Sequence, residues 1–243
     1  MDSRLHITLF ATLCCMFGTS FGGLLTVLFR KTNNIIMSAI MGIAGGLMLS
    51  VVTFDLIPEA IQMAGFNVVL LGIILGVLFI SILDMLLPYS KFIKRYGKGI
   101  KIALLLALGL AAHNFPEGLA IGSGFRGSKS LGYEIAFVIA MHDIPEGAAV
   151  AAPLLNSSLS KFKIILFTAL TAIPTALGAY IGAYIGEIEK NFIALSLGFA
   201  SGTMLYIVVG ELIPESKENY RGILSTLSII IGFIIGFILI TII

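Results

Sequence analysis

IKIALLLALGLAAHNFPEGLAIG, residues 100–122, decides the architecture of this chain. The run matches the roughly 20 apolar residues that cross about 30 Å of hydrocarbon. It does not alternate as a barrel strand would, so it reads as a helix. Near its middle stand His113, Asn114 and Glu117, groups that lipid does not tolerate without a reason. A spanning helix with chemistry at its centre is therefore the unit from which the rest is read.

Seven further stretches have the same character, giving eight spans at 5–29, 35–57, 66–87, 100–122, 132–155, 162–186, 191–213 and 222–243. Polar joints separate most of them: Arg30–Asn34, Tyr89–Gly99, Arg126–Ser130, Asn156–Ser160, Glu187–Lys190 and Glu215–Arg221. The joint at Ala60–Gly65 is only less apolar, which makes it the softest boundary. Across all 243 residues, 58% are hydrophobic and 12% charged, with a mean hydropathy of +1.06. A soluble chain carries about a quarter charged residues, so the solvent here is the lipid bilayer. The 27 glycines suit helices whose backbones approach closely. A formal charge of +2 argues for no nucleic acid, and adjacent Cys14 and Cys15 form neither a disulfide framework nor a CxxC clamp. The first run is too long for a signal-peptide core, and no A-x-A site closes it. Residues 1–243 thus read as a single transmembrane transporter domain with no soluble domain, all-α and eight-spanning.

Orientation follows from Lys and Arg. With the N-terminus outside, the inner side holds Arg30, Lys31, Lys91, Lys94, Arg95, Lys98, Lys101, Lys161, Lys163, Lys217 and Arg221, against Arg4, Arg126, Lys129 and Lys190 outside. Both termini are expected outside, in a multi-pass protein of the cell (plasma) membrane.

Two internal repeats stand out. GLMLSVVTFDLIPE from Gly46 to Glu59 reads against GTMLYIVVGELIPE from Gly202 to Glu215, and HNFPEG at His113–Gly118 against HDIPEG at His142–Gly147. Each pairing joins spans an odd number apart, so the copies run in opposite directions. Spans 1–3 are expected to relate to 6–8, and span 4 to span 5, as inverted repeats. Such repeats are a signature of secondary transporters, with the substrate held near the midplane. Chance similarity of apolar sequence is the plain alternative, and the shared polar residues at fixed offsets weigh against it.

His113 and Glu117 are four apart, as are His142 and Glu146, so each pair shares a helix face. Asn114 and Asp143 sit one position along and edge the same cavity or a neighbouring one. A charged side chain at the bilayer centre costs about 2.5–3.5 kcal/mol on insertion scales. Glu117, Asp143 and Glu146 together would cost on the order of 8–10 kcal/mol if unpaired. No Lys or Arg lies deep in either span, so a bound cation is the simplest remedy, with protonation the competing one. Imidazole with carboxylate suits Zn, Fe, Mn or Co better than Cu(I). Pro116 and Pro145 lack the N–H that the carbonyls of Ala112 and Met141 would accept, so a kink with freed acceptors is expected there.

Asp55, Glu59, Glu211 and Glu215 are placed at span ends. They are either solvated carboxylates or cation-attracting groups at the entrance and the exit of a transport path. Met48 and Met204 read as packing residues; Asp84, Glu134, His6, Cys14 and Cys15 read as structural. A rival from another class is an intramembrane zinc-dependent hydrolase, with Glu117 or Glu146 as general base on a metal-bound water. Against it, HExxH is missing, and a largely oxygen donor set binds and releases an ion more readily than it fixes one.

His-Asn-x-Pro-Glu-Gly in span 4 followed by His-x-x-Pro-Glu-Gly in span 5 resembles the ZIP (Zrt/Irt-like) family of metal-ion transporters, over the whole chain. Without a long His-rich loop between spans 3 and 4, it looks like the compact prokaryotic type. The resemblance implies inward movement of Zn²⁺, often with Fe²⁺, Mn²⁺, Co²⁺ or Cd²⁺, as transported substrate and not as a catalytic cofactor. It implies a primary site at His113, Glu117, His142 and Glu146, with Asn114 and Asp143 lining a second. It also implies movement of spans 1, 4, 5 and 6 against 2, 3, 7 and 8, commonly in a homodimer. Two departures matter. Ile173 stands where some relatives place a Glu that completes a two-metal site, and Gly210 where many have His.

Overall fold

The computed structural model describes residues 3–28, 33–87, 98–155, 157, 159–185 and 190–242. Arg30, Lys31, Lys91, Lys94, Arg95, Asn156 and Glu187 lie outside the described residues, as does the side chain of His142. Among the described residues there is no strand. Eight helices are long and apolar enough to cross a membrane: Arg4–Leu28, Asn34–Ala64, Phe66–Leu86, Gly99–Arg126, Lys129–Leu154, Lys161–Tyr184, Lys190–Asn219 and Ile223–Thr241. These are spans 1 to 8. Spans 3 and 8 are the most exposed, each 22% buried along its most apolar stretch, and present Leu71, Leu78, Ile82, Ile231, Ile234 and Phe237 outward. So large an apolar surface has lipid as its natural solvent. The protein is an all-α, eight-span membrane protein.

Short side chains set several helix starts. Asn33 accepts from the N–H of Ile36, Ser128 from that of Leu131 and Ser160 from that of Lys163, each satisfying a first-turn donor.

The expected ends of spans 2 and 7 are corrected. Both helices run on past Asp55, Glu59, Glu211 and Glu215, to Ala64 and Asn219. Each does so through one π turn, Val52–Leu56 and Val208–Leu212. There the N–H of Ile57 reaches back to the carbonyl of Val52, and that of Ile213 to Val208. Pro58 and Pro214 then fall in the first turn of a fresh α segment, where the missing N–H is not needed. A Leu-Ile-Pro-Glu motif that reads as a stop is therefore a wide turn inside a longer helix. Gly65, with φ at +79°, makes the reversal into span 3, a conformation open to residues without Cβ.

Pro116 and Pro145 stand inside continuous helices. The chain departs from regular α-helix in the π turns and in span 6, which divides into Lys161–Leu170 and Ile173–Ile185. At that break the N–H of Thr175 bonds to Ala172, and Pro174 has none to give, so the carbonyl of Thr171 is left for another donor.

The helices pack in two groups. Spans 1, 4, 5 and 6 form one, with their main contacts between 4 and 6, 1 and 5, 1 and 6, and 4 and 5. Spans 2, 3, 7 and 8 form the other, through 2 with 8 and 3 with 7. The groups meet chiefly along spans 4 and 7 and spans 2 and 5. Small residues make the contacts close. A Cβ on Gly46 would stand 2.0 Å from the carbonyl oxygen of Ile229, and one on Gly202 would stand 2.2 Å from that of Ile73. A Cβ on Gly118 would meet Thr175 O at 2.3 Å, and one on Gly147 would meet Thr19 O at 2.0 Å. The first two contacts exchange with one another under the register that aligns Gly46 with Gly202, since it also aligns Ile73 with Ile229.

Candidate functional site

Spans 4 and 5 bring their polar residues together inside the first group. Nε2 of His113 lies 3.1 Å from Oε1 of Glu117 on its own helix and 3.3 Å from Oε1 of Glu146 on the neighbour. The first contact is the four-residue spacing made real; the second is tertiary and joins the two motifs. His113, Asn114 and Asp143 are fully buried, Glu146 almost so, and Glu117 is 8% exposed. The backbone of His142 is helical, one residue before Asp143. Among the described residues, no trio of His, Cys, Asp and Glu is already drawn into a metal-ligating cluster.

Asn114 is held by span 6. Its Nδ2 donates to the carbonyl of Thr171 at 2.8 Å, the acceptor released by the helix break. That bond fixes the amide and leaves its Oδ1 buried and without a partner. Both carboxylate oxygens of Asp143, Oε2 of Glu117 and the hydroxyl of Thr175 are likewise buried without a hydrogen bond. Orphaned groups are rare in folded proteins, and a concentration of them calls for an explanation.

The four outer acids separate. Asp55 lies in the π turn of span 2 and lines a cavity of about 290 Å³ with Leu47, Val51, Met141 and Pro145, between spans 2, 5 and 8. Glu59, one turn on, is exposed and within electrostatic reach of Asp55, His113 and Glu117. Glu211 is 8% exposed and not solvated. Lys101 of span 4 approaches it at 3.0 Å and also pairs with Asp84 of span 3, which accepts from the phenol of Tyr206 at 2.9 Å. That cluster joins the two helix groups at one end. Glu215 accepts from Asn219 Nδ2 at 3.4 Å. Met48 and Met204 are buried, as packing residues should be.

Comparison with known proteins decides the family. A model described as ZIP Zinc transporter matches residues 94–243. This chain belongs to the ZIP family. "Zinc transporter ZupT" of Shigella dysenteriae is 33% identical over 226 residues, 88% of each chain. That of Stenotrophomonas maltophilia is 29% identical over 238 residues, 89% of this chain and 88% of its own. "Zinc transporter GufA" of Myxococcus xanthus is 35% identical over 173 residues, 69% of this chain and 68% of its own. The resemblance read from the two His-x-x-Pro-Glu-Gly motifs is thus borne out, in its prokaryotic form. A ZIP chain is a transporter and not an enzyme, which sets the hydrolase reading aside.

Sequence reasoning missed three things in this ZIP chain: the break in span 6 that seats Asn114, the buried hydroxyl of Thr175, and the ammonium of Lys101 bound to acids of the other group. Pro174 was the available signal for the first. The other two are tertiary.

Proposed function

We propose that this protein carries divalent metal ions, zinc foremost, across the cell membrane into the cytoplasm, through a site formed by His113, Asn114, Glu117, His142, Asp143 and Glu146. The observation that carries this reading is His113 standing between Glu117 and Glu146, in a buried region where three carboxylates lie near one another. Lys101, the cation nearest in sequence to His113, is engaged with Asp84 and Glu211 instead. An arriving ion supplies the missing positive charge, and the imidazole and carboxylates supply ligands of the borderline hardness that zinc accepts.

Asp55 and Glu59 attract cations on the outer side, where the cavity between spans 2, 5 and 8 leads toward Pro145. Glu211 and Glu215 receive them on the inner side, where Lys101 must give way. The paired π turns, and the glycine contacts that exchange between spans 2 with 8 and 7 with 3, support an inverted repeat relating spans 1–3 to 6–8 and span 4 to span 5. Movement of one helix group against the other exposes the site to each face in turn. Residues 1–243 act as one transmembrane domain with both termini outside, in a chain that forms a homodimer.

Reconstitution tests the reading. Proteoliposomes containing the purified protein are expected to take up Zn²⁺, with Fe²⁺, Mn²⁺, Co²⁺ and Cd²⁺ as competitors. Liposomes that admit no more zinc than protein-free controls would overturn it.

A further inference from the structure

Spans 7 and 8 meet at an open cavity of about 430 Å³, lined by Lys217, Glu218, Arg221, Gly222 and Thr226. Lys217 and Arg221 are exposed, and among the described residues neither makes an ion pair or a side-chain hydrogen bond. Lys101, by contrast, is held by two carboxylates. Glu218, the acid on the cavity wall, has an interaction of its own, and the hydroxyl of Thr226 has none among the described residues. Two cations therefore line one cavity without an acid assigned to them.

The joint is pinned from below. Ser216, near the end of span 7, donates to the carbonyl of Ser38 in span 2 at 2.7 Å, and Ser38 donates back to the carbonyl of Ser216 at 2.7 Å. The Ser216 hydroxyl also stands 3.3 Å from that of Ser225, in the first turn of span 8. The N–H of Tyr220 closes on the carbonyl of Ser216, and the amide of Asn219 donates to the carbonyl of Glu215. Lys217 and Arg221 are thus spared from capping the helix, and three spans hold the cavity walls in place.

Polarity changes sharply across this cavity. Tyr220 occupies the space that a side chain at Gly222 would fill, since a Cβ there would stand 2.2 Å from its ring. Tyrosine is a residue of the membrane–water interface. Past it, Ile223, Leu227, Ile230 and Ile234 follow at helical spacing and form one exposed stripe of span 8, with Ile223 77% exposed. Thr226, three residues after Ile223, stands on that same stripe. The polar cavity therefore runs directly into an apolar surface.

We propose that this cavity binds the headgroup of an anionic phospholipid, with Lys217 and Arg221 on the phosphate, Thr226 donating to it, and the acyl chains lying along the exposed stripe of span 8. A guanidinium can fork onto two phosphate oxygens, and an ammonium adds a second charge. A phospholipid carries an anion at headgroup level and apolar chains beyond it, which is the order in which the joint presents cations and then Ile223, Leu227 and Ile230. Each Lys or Arg near the membrane surface adds about fivefold to the affinity for an anionic lipid. No residue is shared with the metal site proposed on spans 4 and 5, so the two stand or fall separately. The lipid stays with the group of spans 2, 3, 7 and 8.

Native mass spectrometry of the full-length protein, released from detergent after titration with phosphatidylglycerol, counts the bound lipid. The parent is expected to prefer phosphatidylglycerol over phosphatidylcholine of the same chains by about tenfold or more. Lys217→Gln and Arg221→Gln should each weaken phosphatidylglycerol about fivefold, and the double variant about 25-fold. A control double variant, Lys161→Gln with Lys163→Gln, removes two exposed cations from the start of span 6 and should bind as the parent does. All four positions are exposed, so every variant should keep the parent's helical circular dichroism. Phosphatidylglycerol that binds the Lys217, Arg221 double variant as tightly as the parent overturns the site. An equal loss in the control pair overturns it too, because attraction would then belong to the whole charged surface. Inorganic phosphate that displaces the lipid at matching concentration would assign the cavity to a free anion and overturn the lipid.

Discussion

Asp84 and Glu211 share one ammonium, whereas Glu117 and Glu146 share the imidazole of His113, with Asp143 buried nearby. Both clusters place carboxylates in a low-dielectric interior, where an ion is stable only if paired. At the first, the partner is a side chain of span 4, and the pairing joins two helix groups. At the second, in the function proposed above, the partner is the arriving ion. The difference teaches how one bundle can use buried acids in two ways: a tethered cation makes a fastening, and a mobile one would make a binding site.

The largest effect expected concerns the second cluster. Glu146→Ala removes a carboxylate that reaches His113 from the neighbouring helix. Zn²⁺ affinity should fall by more than about a hundredfold, beyond the loss of an outer partner, with most uptake abolished and membrane insertion intact. Isothermal titration and proteoliposome flux measure the two; a variant that transports at the parent rate breaks the contrast between the clusters.

Protons provide the next test. Metal binding needs neutral imidazole and ionised carboxylate, so protons compete with the ion. Apparent Zn²⁺ affinity in detergent should weaken as pH falls from about 7 to 5, by about tenfold per unit for each proton displaced. Binding unchanged down to pH 5 would contradict the ligand set.

Stability sharpens the comparison with smaller effects of opposite sign. Lys101→Met leaves Asp84 and Glu211 facing each other without a cation. The metal-free protein should lose about 2 kcal/mol, less than a fully buried pair because Lys101 and Asp84 are partly exposed. Asp143→Asn replaces a carboxyl buried beside two other acids and should raise metal-free stability by about 1 kcal/mol while weakening metal binding. Thermal unfolding in detergent reads both. Shifts of the same sign would show that the two clusters do not differ in kind.

Much of this was legible in the sequence, for identifiable reasons. Eight spans follow from hydropathy, because lipid imposes the same length and polarity on every crossing. The two His-x-x-Pro-Glu-Gly motifs were legible because polar residues deep in apolar runs are conspicuous. The course of spans 2 and 7 was not, since Pro58 and Pro214 read as terminators and a π turn leaves no signature in composition. Lys101 counted as one more charge on the cytoplasmic side, and nothing local shows that Asp84 and Glu211 meet it from two other helices. Thr175 was silent for the same reason. In an apolar run a small polar residue usually bonds its own backbone, and only the packing of the helices distinguishes one that does not.

Zinc per chain, measured by equilibrium dialysis in detergent on the parent and on the Glu117→Gln, Glu146→Gln double variant, bears most directly on the midplane site. The substitutions keep side-chain size and remove the charge that the ion neutralises. The parent should retain one tightly held ion per chain, with any second ion weaker, and the double variant should lose the tight one. A double variant that still binds one ion with the parent's affinity would show that zinc is held elsewhere.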